Sequence, residues 1–215
     1  MSAESGIPTF RGADGLWKKY RAEELATPQA FARDPKLVWE WYDWRRQIIA
    51  AAAPNPAHLA LAAMGERLTL ITQNVDGLHD LAGSKGILKI HGDIWVRRCT
   101  RCLLEVLDRV SPLPQLPPPC PKCGAMQRPG VVWFGEGLPQ DVWQAAEHAA
   151  QQSNVFLVIG TSAQVYPAAS LVPLAKRAGA KIVEVNIARS GVSSEADAFL
   201  EGPAGEILPR LFQIQ

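Results

Sequence analysis

The sequence has 215 residues, 47% hydrophobic and 20% charged, with 22 Lys and Arg set against 21 Asp and Glu for a formal charge of +1. So even a balance makes nucleic acid no evident partner, and the absence of a bilayer-length apolar run or a cleavable leader pattern predicts a soluble, cytoplasmic chain with no membrane partner. A chain of this length buries a core without covalent staples, so one or two globular units are expected.

Residues 4–12, ESGIPTFRG, read as a loop, and Phe10–Arg11 taken alone is an ordinary turn. Helical signals begin at Thr27, an N-cap with Pro28 at the first helical position, and recur at Asp34–Pro35. Two helices are therefore predicted between 27 and 53, the second over VWEWYDWRRQIIAAAA. Tyr42 and Arg45 lie three apart on it and share a face, which by itself describes a half-buried tyrosine beside a snorkelling arginine. A short helix follows over 55–64. The apolar run 68–72 reads as a buried strand ending in Gln73, Asn74 and Asp76, and the strand-like 87–90 delivers His91 at the same edge. An open α/β sheet builds sites in this way, although a lone histidine before glycine also fits a capped surface position.

Cys99/Cys102 and Cys120/Cys123 form two CxxC pairs with the linker length of a zinc ribbon, and Pro121 and Gly124 supply turn geometry. Two disulfides are the alternative, but no secretory signal accompanies them. Four thiolates close the shell of a Zn²⁺ ion, which then holds structure and does no chemistry. The proline-rich 111–119 reads as an extended surface excursion of this module. Beyond it come a strand over 131–136, an amphipathic helix over 139–152, a buried parallel strand over 154–159, the turn Gly160-Thr161-Ser162, a helix over 166–177, and a strand over 181–185 that ends at Asn186. Strands alternating with helices predict an α/β fold: a Rossmann-like parallel sheet with helices on both faces (1–15, 57–93 and 130–215). A small inserted unit is expected to combine a helical module, 16–56, with a four-cysteine zinc ribbon, 94–129.

In order along the chain, SGIPTFRG, TQNVDGLH, HGD, the paired CxxC, FGE, GTS and VN match the motifs of the sirtuins, NAD-dependent protein deacylases. The chain resembles a sirtuin over nearly its whole length. The resemblance implies NAD as co-substrate, one structural Zn²⁺, and an acylated lysine in a protein or peptide as partner. It puts Phe10 and Arg11 near the nicotinamide ribose, Gln73 on the ribose, Asn74 on water and ribose hydroxyls, and Asp76 on the nicotinamide carboxamide. Gly160, Thr161 and Ser162 fall at the phosphates, Asn186 and Ile187 at the adenosine ribose, and Ala204, in GPAGE, at the adenine. Asn74 and His91 take the catalytic roles, His91 as general base for a ribose hydroxyl after the acyl oxygen has displaced nicotinamide; an unperturbed histidine pKa of about 6.5 suits that task. Val132, Phe134, Gly135 and Glu136 match the segment that pairs with the substrate backbone as an added strand.

YDWRR resembles the Tyr-x-x-Arg signature of class III sirtuins, and LATP their small pocket alanine, so Tyr42, Arg45 and Ala26 are expected to receive acyl groups ending in a carboxylate, succinyl or malonyl, and also acetyl. Nicotinamide, free lysine and 2′-O-acyl-ADP-ribose are the implied products. An NAD glycohydrolase or ADP-ribosyltransferase on the same fold, an impaired NAD or acyl-peptide binder, and a zinc-ribbon adaptor are the alternatives. A monomer is expected.

Sirtuins open with a strand and a GAG-I/V-S turn, and here Met1 stands in the Ile/Val position. GTG encodes valine internally and methionine at a bacterial start, so a start chosen inside GAGVSAESGIPTFRG would yield MSAESGIPTFRG. The expectation is a chain without its central strand, with unpaired neighbouring edges, weak NAD binding and a tendency to aggregate.

Overall fold

A computed structural model describes residues 1–8 and 20–213, so Phe10 and Arg11 lie outside the described residues. After a 3₁₀ turn at Ser2–Ser5 come α1 (Ala22–Leu25), α2 (Pro28–Arg33), α3 (Pro35–Ala50) and α4 (Pro56–Ala63), then β1 (Ile71–Thr72), α5 (Leu78–Leu81) and β2 (Leu88–Lys89). The zinc-ribbon region supplies β3 (Gly92–Cys99), β4 (Glu105–Leu107) and β5 (Gln127–Val131). The chain then runs through α6 (Gln140–Gln152), β6 (Val155–Ile159), α7 (Leu171–Arg177), β7 (Lys181–Asn186), β8 (Ala198–Glu201) and α8 (Ala204–Leu211).

The helix starts follow the capping chemistry. Thr27 Oγ1 accepts from the Ala30 N–H at 3.1 Å, Asp34 Oδ1 from that of Leu37 at 2.9 Å, and Asn55 Oδ1 from those of Ala57 and His58 at 3.0 and 3.3 Å. In each case proline opens the helix, where its missing N–H costs nothing. α3 buries Trp39, Trp41, Tyr42 and Ile49 against Ile94, Trp95 and Trp133. Trp39 Nε1 donates to the Gln127 carbonyl at 2.7 Å, and fully buried Arg46 lies over the Trp95 ring while donating to the carbonyls of Asp108 and Val110. The helical module and the zinc module are thus one packed unit.

Strands β4-β3-β5 form an antiparallel sheet, whereas the parallel strands fall into two sheets, β1-β2 and β6-β7-β8. The predicted strand over 68–72 is regular only at Ile71–Thr72, where among the described residues it pairs with β2 alone. Residues 132–136 depart from the predicted strand: β5 ends at Val131, and Trp133 and Glu136 close a turn in which Glu136 Oε2 accepts the Trp133 N–H at 2.9 Å. The predicted helix over 166–177 is divided into a 3₁₀ turn, Ala168–Ser170, and α7. Strand β8 and helix α8 lack a clear local signal. The first is short and is defined by pairing with β7, and the second carries Pro209 internally.

Two strand edges face one space. A cavity of about 1740 Å³ is lined by every residue of 68–72 and of 155–159. Successive strand residues point to opposite faces, so a cavity touching all of them meets the edges of β1 and β6 and not one face of either. Gly160, at the carboxyl end of β6, adopts φ +56°, and a Cβ there would stand 2.8 Å from the Met1 nitrogen, so the chain start lies at the mouth of this slot. A chain carrying a five- or six-residue apolar strand and a glycine-containing turn fused ahead of Met1 should melt on the order of 10 °C higher, since 1 kcal/mol moves Tm by about 2–4 °C at this size. It should also aggregate less. Scanning calorimetry giving the same Tm for both chains would show that the two edges do not accept a strand.

Candidate active site and metal centre

His91 ends the β2 segment and turns into the cavity. Its Nδ1 lies 3.1 Å from the Gln73 carbonyl, which only accepts, so the proton is fixed on Nδ1 and Nε2 keeps its lone pair. Burial lowers the pKa of His91 below the ordinary histidine value, partly opposed by the Gln73 hydrogen bond. Gly92, at φ +78°, could not carry a side chain: a Cβ would stand 2.2 Å from the Gly130 carbonyl oxygen. This close approach brings β5 beside the histidine, and the Val132 N–H then donates to the His91 carbonyl at 2.9 Å.

The polar end of β1 is organised by a residue that the sequence did not single out. Ser2 Oγ accepts from Asn74 Nδ2 at 2.8 Å and donates to Asp76 Oδ2 at 2.6 Å. Asp76, buried, uses its other oxygen to accept the Leu78 N–H at 2.8 Å. Serine at position 2 has no pattern of its own; the signal was its place just ahead of the ESGIPTFR loop.

On the opposite wall the Phe134 N–H donates to the Ala26 carbonyl at 2.9 Å. Tyr42 accepts from Trp133 Nε1 at 3.0 Å, which leaves the phenol hydrogen to donate elsewhere, and burial raises its pKa. Arg45, 5% exposed, lines the cavity beside Tyr42, reaches the Pro8 carbonyl at 3.5 Å and lies 5.7 Å from the Trp41 ring. Burial lowers its pKa, opposed by Tyr42 and Asp76. Arg128 grips Glu136 with two bonds, at 2.5 and 2.8 Å, and stacks on Trp133 at 3.5 Å.

The cavity therefore gathers Ala26, Tyr42, Arg45, Gln73, Asn74, Asp76, His91, Val132, Phe134, Gly135, Glu136, Gly160, Thr161 and Ser162. Asn186, Ile187 and Ala204 stand outside its lining. Asn186 is nevertheless tied to the β6 turn, its Nδ2 donating to the Thr161 carbonyl at 2.8 Å. Ile187 is 72% exposed, and the Ala204 side chain is buried with Val185 and Leu208, so only its backbone is available to a ligand.

The four cysteines are free thiols whose sulfurs all lie within 4.8 Å of one another. The short approaches cross between the pairs, Cys99 to Cys123 at 3.5 Å and Cys102 to Cys120 at 3.6 Å, and none of the four is joined in a disulfide. Zinc–sulfur bonds of about 2.3 Å in a tetrahedron give sulfur separations of about 3.8 Å, so the donor set fits one structural zinc ion with no open position. The N–H groups of Arg101 and Cys102 both point at Cys99 Sγ, at 3.4 Å, completing the knuckle.

Parallel strands with helices, a buried histidine whose Nδ1 is held by a main-chain carbonyl and a closed four-thiolate cluster define a class of zinc-containing Rossmann-like protein. Residues 1–167 match the model of the Sir2 family. The NAD-dependent protein deacylase 2 of Pyrobaculum aerophilum is 54% identical over 217 residues, covering 99% of this chain and 86% of that protein. The NAD-dependent protein deacylase of Aquifex aeolicus is 53% identical over 215 residues, covering 99% and 90%. Among solved structures, a Sir2 homologue in complex with NAD superposes with a TM-score of 0.93 at 50% identity, covering 99% of this chain and 84% of that one. The chain belongs to the Sir2 family.

Cys99→Ser should lose the metal and the fold of the zinc module together, because a structural zinc contributes about 10 kcal/mol or more of folding free energy in small zinc domains. Elemental analysis should find one zinc per parent chain; a well-folded parent without metal would contradict the assignment.

Proposed function

We propose that this chain is an NAD-dependent protein-lysine deacylase acting on succinyl-, malonyl- and acetyl-lysine. The observation that carries the reading is His91, whose free Nε2 shares one cavity with Ser2, Asn74 and Asp76 on one wall and with Ala26, Tyr42, Arg45 and the 132–136 segment on the other. Gln73, Asn74 and Asp76 are suited to the nicotinamide ribose and carboxamide, Thr161 and Ser162 to the phosphates, and Asn186, Ile187 and the Ala204 backbone to adenosine. NAD, when bound, supplies a ribose carbon that takes the acyl oxygen as nicotinamide leaves. The chain supplies orientation and one proton acceptor: His91 Nε2 removes the proton of a ribose hydroxyl, whose oxygen adds to the acyl carbon, and one water is consumed as the bond from that carbon to the lysine nitrogen breaks, giving free lysine and 2′-O-acyl-ADP-ribose.

Acyl choice rests on Tyr42 and Arg45. A phenol with a hydrogen to donate and a nearly buried guanidinium form a cation-lined end for an acyl chain, and the planar fork of arginine suits a terminal carboxylate. The exposed main chain around Phe134 and Gly135 suits strand-like pairing with a peptide backbone, which tolerates many sequences.

His91→Tyr should lower deacylation by about 10²–10⁴-fold with the fold retained. In the parent, kcat/KM should rise with pH through an inflection below the usual histidine value, because the deprotonated form is active and burial favours it. Mass spectrometry of an acyl-peptide panel with NAD reads this directly; parent-rate deacylation by His91→Tyr, or nicotinamide release that ignores the peptide, would refute the reading.

Arg45→Met should weaken desuccinylation by about 10- to 150-fold, the worth of a charged hydrogen bond, and deacetylation far less. Equal losses on succinyl and acetyl peptides would assign Arg45 to the helix packing instead.

A further inference from the structure

Glu184 is a carboxylate at 0% exposure on β7, in a position that the reading above leaves without a role. A buried carboxylate needs donors, and this one has two. Its Oε2 accepts from Ser193 Oγ at 2.5 Å, and its Oε1 faces Asn186 Nδ2 at 3.5 Å. Asn186 Nδ2 also donates to the Thr161 carbonyl at 2.8 Å, while Asn186 Oδ1 accepts the Ile187 N–H at 3.0 Å. An asparagine amide is ambivalent, able to present either end. Here both groups around Nδ2, a carbonyl and a carboxylate, can only accept, so the amide has one orientation. Oδ1, with one lone pair still open, is the end left for a ligand.

We infer that Glu184 is a positioning and specificity residue: it fixes Asn186 so that an acceptor oxygen meets the ligand, selecting a ribose hydroxyl over a phosphorylated ribose. A hydroxyl can donate to Oδ1. A phosphate cannot, and it would also approach the Glu184 carboxylate through a single intervening side chain, where like charges repel. The nearest basic residue in sequence, Arg189, lies over the Phe199 ring, 4.8 Å from its centroid. Through Ser193, Glu184 also anchors the segment that follows β7, where the Ser190 N–H donates to Ser193 Oγ at 2.7 Å. The carboxylate therefore holds the β6 turn, by way of Asn186, and the post-β7 segment in one arrangement. The inference rests on the reading that Asn186 meets the adenosine ribose.

The test is titration calorimetry of the full chain with NAD and with NADP, for the parent, Glu184→Gln, Ser193→Ala and Asn186→Ala. In the parent, NAD should bind much more tightly than NADP. In Glu184→Gln the Thr161 carbonyl and the Ile187 N–H still hold the amide, but Nδ2 loses its charged second acceptor and the site loses the carboxylate that repels a phosphorylated ribose; NAD affinity should fall a few-fold and the NAD-over-NADP preference by about ten-fold. Ser193→Ala should move the preference the same way by a smaller factor, and it decides the question if Glu184→Gln does not fold. A merely structural role would weaken both ligands equally and leave the preference unchanged, and that result overturns the inference. If Asn186→Ala leaves NAD affinity at the parent value, the underlying placement of the ribose is wrong. If it weakens NAD while neither Glu184→Gln nor Ser193→Ala shifts the preference, the role given to Glu184 alone falls.

Discussion

The site depends on the side chain of Asn55. Its Oδ1 caps α4, and its Nδ2 donates to the Met1 carbonyl and to Ser5 Oγ, both at 3.0 Å. Its own N–H donates to His58 Nδ1 at 3.2 Å. The capping residue of a helix thereby seats the first turn of the chain, and that turn carries Ser2 onto Asn74 and Asp76. The arrangement requires a neutral His58, because a protonated Nδ1 could not accept. Burial pushes the His58 pKa down to about 4, helped by His79, whose ring packs 4.8 Å away. The burial of one imidazole beside another therefore helps the polar end of β1 keep its order.

The wall formed by residues 132–136 has a different origin. β5 leaves the zinc module, passes His91 through the contact that only Gly92 and Gly130 allow, and continues into the turn held by Arg128, Trp133 and Glu136. The Arg128–Glu136 pair depresses the Glu136 pKa despite a desolvation cost that acts the other way, so the carboxylate stays charged and keeps accepting the Trp133 N–H. Trp133 in turn positions the Tyr42 hydroxyl. The cysteine cluster performs no chemistry, yet the wall opposite the histidine begins at its sheet, and its integrity is transmitted through main-chain bonds into the cavity.

Much of this was legible in the residues. Thr27, Asp34 and Asn55 each precede a proline, and helices begin at all three. The CxxC pairs announced a cluster because two tight turns converge wherever they lie in sequence, and polar residues after an apolar run marked the β1 edge. What stayed hidden was whatever depends on distant partners. Nothing local distinguishes Ser2 from a loop serine, and Glu184 reads as a charge interrupting a strand until Ser193 and Asn186 close around it. The length of the 68–72 strand and the split of the parallel strands into two sheets depend on pairing, which the hydrophobic pattern of a single segment cannot report.

Two ambivalent side chains, those of His91 and Asn186, are oriented in one manner. An imidazole and a primary amide can each present a donor or an acceptor, and a catalyst needs one of the two. At His91 the Gln73 carbonyl takes the proton-bearing nitrogen, and at Asn186 the Thr161 carbonyl takes the amide nitrogen. Main-chain carbonyls do not titrate, and these two lie just past the ends of β1 and β6, so they orient both groups at every pH at which the fold survives. His58 is set the opposite way, with Nδ1 accepting from a main-chain N–H. The backbone thus decides the tautomer of both histidines, Nε2 bare for His91, the proposed proton acceptor, and Nδ1 bare for His58, which holds a cap.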